Sequence, residues 1–389
     1  MIDGRERATA LREYLEGRRD RMVDMLVELA SLESPTDVPE TQAPVQACLT
    51  RALEERGMRV RRVAGRLTGG LLYVRPRRRV RCRPVQLLIG HSDTVWPMGT
   101  TASMPVTVED ELVRGPGTFD MKAGLVQGIF ALEALSALGL EPPATPIWII
   151  NSDEEIGSPE SIRWVRGAAR RAARAFVLEP AYGPDGRLKT ARKGVGRFRI
   201  IVRGIPAHAG LEPEAGASAV VEMADVVLRL HALNDVERGT TLNVGTIHGG
   251  TRRNVVAAEA VAEVDMRVAT AEDGVTVERL IHAMKPRTPG TTLHVEGGLA
   301  SPPLEHTARN RALWCQALVA GERLGLSLQE CVAGGVSDGN TTSQLTATLD
   351  GLGAIGDGAH ARHESVSIAG LSQRAALLAE LLMAPVDAK

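Results

Sequence analysis

Three apolar runs in this 389-residue chain stop at a histidine or an acid, and that shared ending constrains the fold more than any other feature. Val85-Gln86-Leu87-Leu88-Ile89-Gly90 runs into His91-Ser92-Asp93. Ile147-Trp148-Ile149-Ile150 runs into Asn151-Ser152-Asp153-Glu154-Glu155, and Ala175-Phe176-Val177-Leu178 runs into Glu179-Pro180. Short apolar runs bounded in this way read as buried strands. The carboxyl ends of strands are where open α/β sheets collect their chemistry. Two more segments open turns, Gly115-Pro116-Gly117-Thr118-Phe119-Asp120-Met121-Lys122 and Gly358-Ala359-His360. Together the five segments offer two His and several carboxylates with no thiolate. That donor mixture suits a hydrolytic zinc pair better than a structural zinc site.

The rest of the pattern sorts into two textures. Helices are expected over about residues 8–32, 44–56 and 122–138, with Gly124 and Gly128 allowing the last to pack closely. Short strands are expected at Val60–Val63 and Leu71–Val74. After Pro184 the run Val195–Val202 alternates like a half-exposed strand. Helices near 217–233 and 275–284 follow, interleaved with strands near 241–247, 261–268 and 291–295. The expected fold class is α/β: an α/β domain with a central mixed sheet, carrying an inserted α+β domain. The expected boundaries are 1–190 and 301–389 for the first domain, and 191–300 for the insert. A site residue as late as His360 requires the C-terminal segment to complete the first domain.

Composition excludes several classes of function. A formal net charge of −1 gives no pull toward nucleic acid or an anionic membrane, and 3% aromatics leave few stacking platforms. Cys48, Cys82, Cys315 and Cys331 form no paired motif, which fits a reducing compartment. The charged N-terminus leads into an amphipathic helix with no signal peptide, so a cytoplasmic location is expected. The basic run Arg75 to Arg83 reads as a solvated loop, with docking of an acidic carrier protein as the lesser reading.

The site chemistry has a clear logic. Each ion of a hydrolytic pair needs about three protein ligands and a place for water, and a carboxylate shared by both ions holds them together. A further acid must take the water's proton and return it to the leaving amine. Glu154 and Glu155 are adjacent and point different ways on an extended turn, so one can ligate while the other acts as base. Asp93, two residues after His91, can accept from the free imidazole nitrogen.

The runs HSDTVW, GPGTFDMKAG, NSDEEIGS, LEP, AHAG, GGVSDGN and GAHARHE, in this order along nearly the whole chain, resemble the zinc aminoacylase and carboxypeptidase metallopeptidases. Acetylornithine deacetylase and succinyl-diaminopimelate desuccinylase belong to this group, and the pattern is most similar to its bacterial glutamate carboxypeptidase branch. The resemblance implies one zinc on His91, Asp120 and Glu179 and a second on Asp120, Glu155 and His360, with Asp120 bridging. Cobalt or manganese are possible substitutes. It implies Glu154 as general base and acid, Asp93 as the orienter of His91, and a cis peptide at Asp120–Met121. It further implies that the insert is a dimerisation (lid) domain, that the protein is a homodimer, and that His208 reaches the partner subunit's site to stabilise an oxyanion.

The substrate end is read from Arg267, a candidate carboxylate clamp, together with Asn243, Gly335 and Ser337. The Gly-rich loop Gly334-Gly335-Val336-Ser337 offers backbone N–H groups to an anion. His231, His248, His282, His294, His306 and His363 carry no motif and read as surface or core residues. The leading reading is hydrolysis of an amide bond by a metal-bridging hydroxide, releasing an amino acid with a free carboxylate, glutamate first. The alternatives are an N-acyl-amino-acid deacylase, a pathway-specific hydrolase acting on a glutamate-linked carrier, and a non-catalytic metal-binding scaffold.

Overall fold

The computed structural model describes residues 3–78, 80 and 82–386. Arg79 and Arg81 of the basic run lie outside the described residues. The chain divides into two compact units. The first takes residues 1–190, 306–332 and 337–389, and the second takes residues 191–305 and 333–336.

The first unit is built on a six-stranded mixed sheet. In spatial order its strands are Met58–Val63, Leu71–Pro76, Thr145–Asn151, Val85–His91, Ala172–Val177 and Ala347–Leu349. The last four run parallel, and the first two pair antiparallel. Val85–His91 and Thr145–Asn151 are buried at every residue, which explains why they read as continuous apolar runs and not as alternating ones. Successive side chains point to opposite faces. Leu88 and Trp148 therefore join one core with the helices Ala123–Ala137 and Ile368–Leu382. Leu87, Ile89, Ile147 and Ile149 join another with the helix Ile162–Ala169.

The helix Ala123–Ala137 is buried on nearly every side, and its glycines set how closely it approaches the sheet. A Cβ on Gly124 would run into the backbone carbonyl of Leu178, the residue before Glu179. Gly124→Ala is therefore expected to cost about 1–3 kcal/mol of stability, the usual penalty for overpacking. Urea unfolding of wild type and variant measures it, and an unchanged midpoint would contradict the packing argument.

The second unit is a four-stranded antiparallel sheet in the order Thr241–Gly249, Glu259–Val268, Gly194–Arg203 and Thr292–Ser301. Burial alternates along Glu259–Val268, the signature of a sheet covered on one face. Ile200, Val264 and Met266 pack there with Met223 and Val226 of the helix Ala219–His231 and with Val277 and Ile281 of the helix Ala271–His282. Ser218 and Thr270 cap these two helices through their side chains. Residues 333–336 belong to this unit, where Lys193 N donates to Ala333 O and Arg192 donates to Gly335 O. Among the described residues no helix is long and apolar enough to cross a membrane.

Candidate metal centre

The sheet of the first unit delivers acid and imidazole groups from three adjacent parallel strand ends. His91 closes the strand Val85–His91, Glu154 and Glu155 open the turn after Thr145–Asn151, and Glu179 follows Ala172–Val177. Asp120 arrives from the turn Thr118–Lys122, where the Asp120–Met121 peptide is cis. His360 comes from the C-terminal segment, in the left-handed region at φ 61°.

These residues converge in two triads that share Asp120. The ligand atoms of His91, Asp120 and Glu179 lie within 4.8 Å of one another, and so do those of Asp120, Glu155 and His360. His91 Nε2 is 3.3 Å from Asp120 Oδ1 and 3.4 Å from Glu179 Oε1. On the other side His360 Nε2 is 3.4 Å from Asp120 Oδ2 and 3.3 Å from Glu155 Oε2. Asp120 thus presents one oxygen to each triad.

The His91 tautomer follows from its neighbours. Nδ1 lies 3.0 Å from the backbone carbonyl of Asp93, which can only accept, so Nδ1 carries the proton. The Asp93 carboxylate stands 3.4 Å away on the same side. Asp93 Oδ2 is itself held by Thr36 Oγ1 at 2.8 Å and by the Glu155 backbone N at 3.2 Å. Nε2 faces Asp120 and Glu179 and is the ring nitrogen left to a metal ion.

Charge is concentrated here beyond what the protein balances by itself. Burial, then the Glu179 charge, holds the Glu154 carboxyl well above the usual range, and burial raises that of Glu155. Burial works against the His91 imidazolium, but the facing carboxylates of Asp120, Asp93 and Glu179 override it and raise its pKa well above the ordinary value. His360 is pushed up to about 10, first by Asp120 and then by Glu155. Burial penalises the Asp120 carboxylate, yet its two His neighbours pull its pKa far below the usual range.

A pair of cations fits these residues. His91 Nε2, Asp120 Oδ1 and Glu155 Oε1 are buried with no hydrogen-bond partner, which is costly unless something else satisfies them. The donors are imidazole and carboxylate, suited to zinc and its neighbours.

Glu154 belongs to neither triad among the described residues and stands beside Glu155 at the same turn. Asp153 accepts from Glu160 N and Ser161 N, which fixes the next turn.

The remaining candidates sit elsewhere. Ser337 is buried in the first unit, where its hydroxyl donates to Asp350 at 2.6 Å and accepts from Gly339 N to cap the helix Asp338–Ser343. His208, Asn243, Arg267 and Gly335 belong to the second unit. The exposed His208 ring accepts at Nδ1 from Gly210 N and Leu211 N, both at 3.1 Å, so its proton sits on Nε2. The Arg267 guanidinium donates to both oxygens of Asp265 and to Gly334 O. Asn243 is exposed opposite Asp265, and Gly335 is exposed.

Sequence reading assigned no role to Glu364, although it lies inside the GAHARHE run. Its fully buried carboxylate accepts from Trp96 Nε1 and from three backbone N–H groups of the Asp120 turn. An acid four residues after a candidate ligand His was the available signal.

Residues 190–287 match the family model of a peptidase dimerisation domain. Carboxypeptidase G2 of Pseudomonas sp. (strain RS-16) is 28% identical over 302 residues, covering 76% of this chain and 73% of its own length. Succinyl-diaminopimelate desuccinylase of Dechloromonas aromatica is 24% identical over 321 residues, covering 78% and 84% respectively. Among solved structures, aminopeptidase PepT from Bacillus cereus superposes with a TM-score of 0.77 at 22% identity, over 94% of this chain and 98% of that one. A Bacillus subtilis dinuclear metal binding peptidase from the M20 family gives 0.69 at 16% identity, over 95% and 98%.

Proposed function

We propose, from this chain's membership of the M20 metallopeptidases, that it hydrolyses an amide bond with two zinc ions and releases an amino acid bearing a free carboxylate, glutamate first among them. The observation that carries the reading is the pair of triads sharing Asp120, with Glu154 beside them and outside both. His91, Asp120 and Glu179 would hold one ion, and Asp120, Glu155 and His360 the other. When bound, such a pair polarises the substrate carbonyl and activates a water. Glu154 takes that water's proton and passes it to the departing nitrogen. Asp93 keeps the His91 proton on Nδ1, so that Nε2 stays a ligand through the cycle.

His208 supplies the oxyanion donor. Its turn already commits Nδ1 as an acceptor, so Nε2–H is free to donate. We place this donor in the partner subunit's site, a role that accords with the dimerisation-domain match. His208→Ala is expected to lower kcat by about 10²–10³-fold, as loss of one such donor does. Mixing His208→Ala with Glu154→Gln tests the placement in trans. Hybrid dimers would regain activity at one of their two sites, whereas a donor acting within its own subunit would leave both sites of every hybrid defective, and mixing would restore nothing.

The leaving amino acid's carboxylate is assigned to Arg267, Asn243 and the loop around Gly335 and Ser337. Arg267 must turn part of its fork from Asp265 to the substrate, and Ser337, its hydroxyl spent on Asp350, contributes through backbone. A cytoplasmic homodimer completes the reading. Zinc-loaded protein assayed on acyl-glutamates, acyl-aspartates, dipeptides and N-acetyl amino acids tests it. Release of one amino acid class, lost on chelation, supports it and separates carboxypeptidase from deacylase. Absence of turnover on every class with metal bound contradicts it.

A further inference from the structure

We propose that Glu364 is a positioning residue that fixes Asp120 and His360 relative to each other, and so decides whether the second cation site forms. The proposal rests on reading the centre as dinuclear. Glu364 is a buried acid close to that centre, yet it is no ligand, because both of its oxygens are spoken for. Oε1 accepts from Phe119 N at 2.9 Å and Asp120 N at 3.0 Å. Oε2 accepts from Gly117 N at 2.9 Å and Trp96 Nε1 at 2.7 Å. All these partners are N–H donors.

The contacts join three of the ligand-bearing segments at one carboxylate. Trp96 belongs to the stretch that begins at His91. Gly117, Phe119 and Asp120 form the turn that carries the shared ligand. Glu364 itself ends the turn that carries His360, closed by Ala361 N donating to Gly358 O at 2.8 Å and Glu364 N donating to Ala361 O at 3.0 Å. The backbone ties back again where Gly115 N donates to Glu364 O at 3.2 Å.

The two cation sites depend on this joint unequally. His91 is buried at a strand end with its ring oriented by Asp93. His360 is half exposed, with left-handed backbone on a loop. The site made by Asp120, Glu155 and His360 therefore relies on Glu364 to place an imidazole that has no strand of its own, whereas His91 keeps its place through its strand and Asp93. Losing a partner that orients a ligand typically costs 10–100-fold in metal affinity.

E364Q tests the assignment, because it keeps the volume and removes the match. Whichever way the amide lies, its NH₂ group faces two N–H donors. Zinc binding to the metal-free protein is followed by calorimetry and by metal content after dialysis. Wild type is expected to take two ions per protomer. E364Q is expected to keep one near wild-type affinity and to bind the other about 10–100-fold more weakly. W96F removes one donor and leaves the carboxylate, so it should weaken the same site by less; it also carries the test if E364Q does not fold. Melting of the metal-free proteins separates a general loss of stability from a selective loss of one site. Two ions at wild-type affinity in E364Q, or no selective weakening in W96F when E364Q is unfolded, would overturn the proposal. Fewer than two ions in wild type would overturn the dinuclear reading itself.

Discussion

Glu154→Gln is expected to lower kcat by about 10²–10⁴-fold, the range for a lost general acid–base, with both cations still bound. Glu154 sits outside both triads, so the amide leaves the ligand set intact. It keeps the shape of the side chain and removes the group that accepts the water's proton. The signature is the combination: metal content at the wild-type level, substrate affinity little changed, and turnover lost. If turnover survives, another group carries the proton. If metal is lost as well, Glu154 belongs to the ligand set and the division of labour between Glu154 and Glu155 is wrong.

Asp120→Ala should have the broader effect, because Asp120 is the only residue common to the two triads among the described residues. Its removal leaves each triad with two donors and deprives both His91 and His360 of the oxygen they face. The expected result is loss of both ions at concentrations that saturate wild type, and hydrolysis at background. The drop in affinity should exceed the roughly 10–100-fold cost of losing an outer hydrogen-bond partner. Metal content by elemental analysis after dialysis measures it. Retention of one tightly held ion would show that the two sites do not share this carboxylate.

What the sequence made legible follows from how locally each feature is encoded. A strand buried on both faces must be apolar throughout, so Val85–His91 and Thr145–Asn151 announced themselves, and their ends marked His91 and Glu155. The antiparallel strands of the second unit were legible through alternation along Gly194–Arg203 and Glu259–Val268. The short strands Thr107–Glu109, Leu112–Arg114, Gly356–Asp357 and Ser365–Ser367 were not read, since segments so brief carry no periodicity.

Side-chain commitments at long range were hidden for a different reason. Glu364 contacts Asp120 across 244 residues of chain, and nothing near it in sequence declares its partners. Ser337 could be read as loop chemistry, but its bond to Asp350 depends on a helix that begins at the next residue. Arg267 could be read as a free clamp, while the Asp265 that occupies it lies two positions away on the same strand, where only the folded sheet shows the pairing.

The most direct test of the account is anomalous diffraction from crystals of the protein equilibrated with zinc. The account predicts two peaks in each protomer, one against His91, Asp120 and Glu179 and the other against Asp120, Glu155 and His360. A single peak, or a pair that leaves Asp120 touching only one of them, would contradict it.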